Sequence, residues 1–199
     1  MIPHDLVIAD TRAWLERAVI GLNLCPFAKS VHVKGQVHYA VSRATTAHDL
    51  LDDLVAELKD LVATDPKERD TTLLMAPDCL HDFLDFNDFL AQADQALAEL
   101  DLDGVLQIAS LHPRYQFAGT LEDDITNFTN RSPYPTLHLL REDSIDRAVA
   151  AFPDPESIFE VNMQTMERLG PEGWAALKVG ASAVGDAVVA SSVHDTSKT

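Results

Sequence analysis

Residues 71–76 read Thr71-Thr72-Leu73-Leu74-Met75-Ala76, a run that is apolar without alternation and is closed off by Pro77-Asp78. A strand with one solvated face alternates polar and apolar residues; a continuous run needs cover on both faces. The run therefore predicts a strand buried on both sides, and the flanking sequence predicts the helices that cover it. Upstream, Leu51, Leu54, Val55, Leu58, Leu61 and Val62 recur at helical spacing with Asp53, Glu57 and Asp60 outward. Thr46-Ala-His-Asp49 resembles a capping box at the start of that helix, and Thr64-Asp65-Pro66 ends it, because a residue before proline is pushed out of the α region. Downstream, Phe83, Phe86, Leu90, Ala93, Leu97 and Leu100 predict a helix over 80–100 whose aromatic stripe is core.

Working further outward, residues 36–42 alternate, with Val37, Tyr39 and Val41 opposite His38, Ala40 and Ser42, which predicts a strand. Asp103-Gly104 turns the chain into a strand over 105–111, and residues 136–140 predict a fourth. The chain opens with a helix over 5–22, carrying Ile8, Trp14, Leu15, Ala18, Val19 and Leu22, with Gly21 and Asn23 suited to its end. After the fourth strand come a brief helix over 144–152 and a longer one that Asp154-Pro155 opens and Gly170-Pro171 closes. Helices between strands imply right-handed crossovers and parallel pairing of the first three strands, with the direction of the fourth open. The expectation is a single α/β domain over 1–170, with a sheet of about four strands, mostly parallel and covered by helices. Residues 171–199, rich in Ala, Gly, Ser and Val, form a C-terminal extension expected to be partly disordered.

The net charge is −17, from 32 acidic against 15 basic residues, and such a surface repels phosphate backbones. Nucleic acid is therefore not an expected partner, while a locally basic pocket for a small anion is compatible with that charge. The N-terminus carries Asp5, Asp10 and Glu16 where a signal peptide is apolar, and no apolar run is long enough to span a bilayer. Cys25 and Cys79 are too few for a disulfide scaffold. A soluble cytoplasmic protein with reduced thiols is expected.

Polar side chains and conformational fixers concentrate between Leu111 and Leu140, from His112-Pro113-Arg114-Tyr115 to Asn130-Arg131-Ser132-Pro133-Tyr134-Pro135. This stretch leaves the third strand at its carboxyl end, the edge where open α/β sheets bind ligands. His112 is the candidate for proton transfer, against a structural role as a histidine bonded to the connection. Arg131 on its stiff loop is a fork for a carboxylate or phosphate, against an internal clamp on Asp123 or Asp124. Arg114 has the same two readings, and Asn127 and Asn130 complete the candidate substrate-binding set. Asp123, Asp124 and Asn127 fit one face of a short helix over 120–129. Cys25, with Pro26 as a first helical residue, would stand near an N-cap, where the thiolate is favoured; the alternative is a small buried hydrophobe. A metal could recruit His112, His138, Asp123 and Cys25, although no HxxxH, HExxH or CxxC spacing supports it. Neither GxGxxG, GxxxxGK[ST] nor GxSxG occurs, which disfavours nucleotide binding and α/β-hydrolase chemistry.

At LNLCPFA, LHPRYQFAG and NFTNRSPYPTLHLLRE the sequence resembles a bacterial family known as domain of unknown function 1415, over residues 5–169 by element order. The resemblance implies a compact cytoplasmic protein and brings no activity, substrate or cofactor with it. Three functional readings follow. One is a small-molecule enzyme in which Cys25 and His112 act while Arg131 anchors an anionic substrate. The second is a non-catalytic ligand-binding or adaptor protein whose polar loop 111–135 is structural. The third is a metalloprotein with His and Asp ligands.

Overall fold

The computed structural model describes residues 2–150, 154 and 157–182. Four strands, β1 (Val37–Val41), β2 (Thr71–Met75), β3 (Leu106–Leu111) and β4 (Thr136–Arg141), form one sheet in the order β1-β2-β4-β3. β1 and β2 are parallel, whereas β4 is antiparallel to both β2 and β3. The first three strands do run the same way, but β4 occupies the slot between β2 and β3. The sheet is therefore mixed, which corrects the mostly parallel expectation. The reason lies in the long connection after β3, which carries the chain back across the strand ends so that β4 descends between its neighbours. An apolar central strand has the same pattern whichever way it runs.

On one face lie α3 (Ala47–Ala63) and α4 (Phe83–Glu99), whose Leu50, Leu54, Leu58, Leu61, Phe86 and Phe89 pack on Ala40, Leu74, Leu106, Leu137 and Leu139. Each fully buried side chain of this kind contributes about 1.5–3 kcal/mol relative to exposure. Thr46 caps α3 by accepting the Asp49 N–H at 3.2 Å, and Asp82 caps α4 by accepting from Leu84 and Asp85. Arg141 closes the other end of α3, its Nη2 donating to the carbonyls of Leu61 at 2.6 Å and Thr64 at 2.8 Å.

The opposite face is covered unevenly. α1 (His4–Trp14) lies over β1 and β2, with Val7 against Leu73, Met75 and Tyr134. It runs on as a π-helical turn over Leu15–Ile20 instead of the continuous α-helix to residue 22 that periodicity suggests. The wider turn brings Trp14, Leu15, Ala18 and Val19 into one buried cluster, and the Leu24 N–H closes it on the Val19 carbonyl at 2.9 Å. Position 21 must be glycine here, since a Cβ would stand 2.2 Å from the Arg17 carbonyl oxygen.

Two short helices, α2 (Ala28–Val33) and α5 (Glu142–Ala150), bury no residue fully. α6 (Ile158–Ala176) kinks at Gly170, whose φ of 64° is not helical, and resumes at Pro171. Trp174, Leu177 and Val179 then pack on the Trp14–Val19 cluster, and Arg17 holds the carbonyls of Leu177 and Lys178. The N-cap of α6 is Ser157, not the expected Asp154, whose carbonyl accepts the Ser157 hydroxyl at 2.8 Å. Phe152, Pro155 and residues 183–199 of the extension expected to be partly disordered lie outside the described residues.

Candidate functional site

The uneven cover leaves a cleft of about 940 Å³ on the α1 face of the sheet, between the N-terminal region and α5. Its floor is formed by alternate residues of the strands, namely Val37, Thr71 and Leu73, His138 and Leu140, and Gln107 and Leu111. One end is apolar, walled by Trp14, Leu15, Val19, Leu24, Cys25 and Phe27. At the other end, where Val37, Thr71 and Leu140 lie in register, stand Lys34, Lys67 and Arg147 with Asp70, bordered by Arg141, whose guanidinium is held by carbonyls at the end of α3. Asp70 accepts the Ser144 hydroxyl at 2.6 Å, and Ser144 Oγ accepts from Arg147 at 3.0 Å.

The structure distributes the six candidate residues over different surroundings. Cys25 and Asn130 line the cleft. Cys25 is not a helix cap: the N-cap of α2 is Phe27, and the Cys25 carbonyl merely accepts the Ala28 N–H at 3.2 Å. The thiolate-stabilising geometry expected from Pro26 is therefore not formed. The Asn130 carbonyl holds the His112 N–H at 3.2 Å, and its Oδ1 accepts from Thr129 at 3.2 Å.

His112 lies on the other side of the sheet edge, fully buried between the rings of Phe83 and Phe86 at 5.4 and 5.1 Å. Its Nδ1 accepts the Arg114 N–H at 3.0 Å, so the proton sits on Nε2, which donates to the Leu80 carbonyl at 3.1 Å. Both ring nitrogens are occupied by backbone. Burial pulls the imidazole pKa below its ordinary value of 6.5, only partly opposed by the bond to Leu80.

Asn127 is fully buried as well: Oδ1 accepts from the Phe117 N–H at 2.9 Å and the Thr120 hydroxyl at 2.8 Å, while Nδ2 donates to the Leu121 carbonyl at 2.8 Å. It organises the loop instead of sharing a helix face with Asp123 and Asp124. The expected helix over 120–129 is a 3₁₀ turn over Ile125–Asn130, capped by Asp124 through the Thr126 N–H at 2.9 Å. Arg131 clamps the same loop, but on carbonyls: Nε donates to Tyr115 at 3.2 Å and Nη2 to Glu122 at 2.6 Å, with the guanidinium 4.2 Å from the Phe128 ring centroid. It lines a separate recess of about 630 Å³ with Glu122, Asp123, Ile125, Phe128 and Pro171. Arg114 is exposed and pairs loosely with Asp82 and Glu122 at 3.9 and 3.6 Å. Among the described residues, no group of three or more His, Cys, Asp or Glu is disposed to hold a metal.

Two strand residues complete the cleft chemically. His138 Nε2 and Thr71 Oγ1 are 2.8 Å apart, and the Thr71 hydroxyl donates to the Leu139 carbonyl at 2.6 Å. The sequence marks His138 only as a possible metal ligand and Thr71 only as part of a buried strand, and it does not mark the basic end. The available signal was a polar residue inside an otherwise apolar strand, in TTLLM and TLHLL.

No helix among the described residues is long and apolar enough to cross a membrane. No curated protein and no solved structure matches the chain. One family profile does, described as a protein of unknown function (DUF1415), over residues 6–176. The match takes in every strand of the sheet, the floor of the cleft and most of its walls, and the chain belongs to that family.

Proposed function

We propose that this protein binds a small molecule with an apolar body and an anionic end in the cleft on the α1 face. The observation that carries this reading is the charge of the lining. Among the described residues, and leaving out Arg141, which is spent on α3, the cleft draws three of the chain's 15 Lys and Arg, Lys34, Lys67 and Arg147, but one of its 32 Asp and Glu. On a chain of net charge −17, such a local reversal favours an anion by Coulomb attraction, strengthened where water is partly excluded. The apolar end accounts for the rest of the ligand, in the usual pattern of a mostly hydrophobic pocket with a few polar groups fixing orientation.

If chemistry follows binding, Cys25 is the nucleophile at hand, because its side chain shares the cleft wall. His112 and Arg131 contribute to the scaffold: their polar atoms are engaged by backbone carbonyls and N–H groups. The anchoring of an anionic substrate passes from Arg131 to Lys34, Lys67 and Arg147.

Decanoate and decanol are suitable probes, followed by amide NMR shifts of the folded protein. Decanoate is expected to shift residues of β2, β4 and α2, decanol to bind more weakly, and Lys34→Glu with Lys67→Glu to weaken decanoate by about tenfold, or about 1.4 kcal/mol. Equal affinity for the two probes, or no effect of the double reversal, overturns the reading.

A further inference from the structure

His138 sits at the centre of the cleft floor with half of its hydrogen-bonding capacity unused. Strand alternation decides which way it faces. Leu137 and Leu139 enter the core under α3 and α4, so His138 and Leu140 face the cleft. Its register neighbours are Leu73 on β2 and Ala109 on β3, and the small Ala109 leaves the ring room on that side.

The tautomer follows from Thr71. A hydroxyl has one proton, and that of Thr71 goes to the Leu139 carbonyl at 2.6 Å. Toward His138 the Thr71 oxygen acts as acceptor, so the hydrogen lies on Nε2 and donates across the 2.8 Å contact. The lone pair is then on Nδ1, which has no hydrogen-bond partner among the described residues. Nor is Nδ1 sealed away. The unpartnered buried side-chain atoms among the described residues are the Tyr39 hydroxyl and one Asp78 oxygen.

We propose that His138 Nδ1 is the acceptor by which the cleft selects a ligand carrying a hydroxyl or amide N–H part-way along its apolar body, with Thr71 as the positioning residue that fixes the tautomer. This rests on the cleft being the binding site. Burial keeps the ring neutral by lowering its pKa from 6.5 to about 4, so the lone pair is available through the physiological range. The spacing also bounds the ligand. His138 and Leu140 are two residues apart on the cleft face, and Leu140 is in register with Thr71 at the basic end, so the donor group lies about 7 Å from that end at about 3.3 Å per residue.

Two measurements test this. The first needs no ligand. Long-range ¹H–¹⁵N spectra are expected to read a neutral Nε2–H imidazole for His138 at about pH 5, where ordinary histidines are protonated. Diethyl pyrocarbonate, which attacks unprotonated imidazole, is expected to label His138 at that pH ahead of His112. Thr71→Val is expected to lose the single tautomer. An Nδ1–H tautomer, or a His138 unreactive in folded protein, overturns the proposal whatever the cleft binds. The second compares decanoate with 6-hydroxydecanoate, whose hydroxyl stands part-way along the chain. The hydroxy acid is expected to bind about fivefold more tightly, the worth of one net hydrogen bond. In His138→Phe the preference is expected to vanish while decanoate binding persists. Decanoate binding without that preference defeats the role of His138 alone. Failure of both acids to bind defeats the cleft reading as well.

Discussion

The Tyr134 hydroxyl donates to Asp10 Oδ2 at 2.6 Å, joining residues 124 apart in sequence. Asp10 is 8% exposed and Tyr134 3%, so the bond is closed to solvent. Ser182 completes the carboxylate's shell, its N–H reaching Oδ2 at 2.8 Å and its hydroxyl Oδ1 at 2.6 Å. One carboxylate thus ties α1 to the Pro133-Tyr134-Pro135 segment and to the chain beyond α6. Burial first, and then Asp10, raise the phenol's pKa well above its ordinary value, so it remains a donor across the accessible pH range.

Tyr134→Phe keeps the ring and deletes the donor, leaving a buried carboxylate with Ser182 as its remaining side-chain partner. A hydrogen bond to a charged group is worth about 1.5–3 kcal/mol, and the variant is expected to lose about 2 kcal/mol in urea denaturation. Ser182→Ala, at a half-exposed position, is expected to cost less. A loss from Tyr134→Phe below about 0.5 kcal/mol would mean that the contact does not brace α1.

The two cysteines are expected to differ in reactivity. Cys25 is half-buried in the cleft wall, whereas Cys79 is 4% exposed and burial pushes its thiol pKa up. Iodoacetamide on folded protein, mapped by peptide mass, is expected to modify Cys25 first and Cys79 only after unfolding. Decanoate is expected to slow the reaction at Cys25. Protection of neither thiol, with decanoate demonstrably bound, would remove Cys25 from the binding surface.

Much of the fold was legible because its signals are local. The run at Thr71–Met75 is buried at every position, Thr46 caps α3, and Leu54, Leu58 and Leu61 face the core, each as pattern alone requires. Strand order was less legible, because Leu137 and Leu139 would look the same in a parallel or an antiparallel neighbour of β2. The site was less legible still. The polar cluster at 111–135 drew attention by density, but there Asn127 and Arg131 satisfy the backbone of a long loop, which a chain without regular pairing must do with side chains. The basic end of the cleft is assembled from Lys34, Lys67 and Arg147, which belong to three separate segments and have no sequence proximity to reveal them.

Stability is expected to fall on mild acidification. The folded pKa of His138 is about 4, against 6.5 for an ordinary imidazole, and that of His112 is lowered too. For a base with a depressed folded pKa, the unfolded chain binds a proton that the folded chain refuses. The stabilising contribution is complete above pH 6.5 and is lost as pH falls toward the folded value. The slope for one such group approaches about 1.4 kcal/mol per pH unit. Urea midpoints of wild type and His138→Gln, measured from about pH 7.5 to about pH 5, are expected to converge as pH falls, because the variant lacks one of the two groups. A constant gap across that range would mean that His138 titrates normally in the fold.

His112 provides the sharpest contrast between scaffold and site. Its ring fills the space between Phe83 and Phe86, and its nitrogens satisfy the Leu80 carbonyl and the Arg114 N–H. Leu80 holds a left-handed φ of 53°, and the imidazole is what secures the turn into α4. His112→Ala opens a cavity and orphans two backbone groups, so a loss of about 3–4 kcal/mol is expected. The cleft lies on the other face of the sheet, and decanoate affinity of the folded fraction is expected to stay within about twofold of wild type. Full stability with lost binding would make His112 a site residue after all. Lost stability with retained binding is the result that two occupied ring nitrogens require.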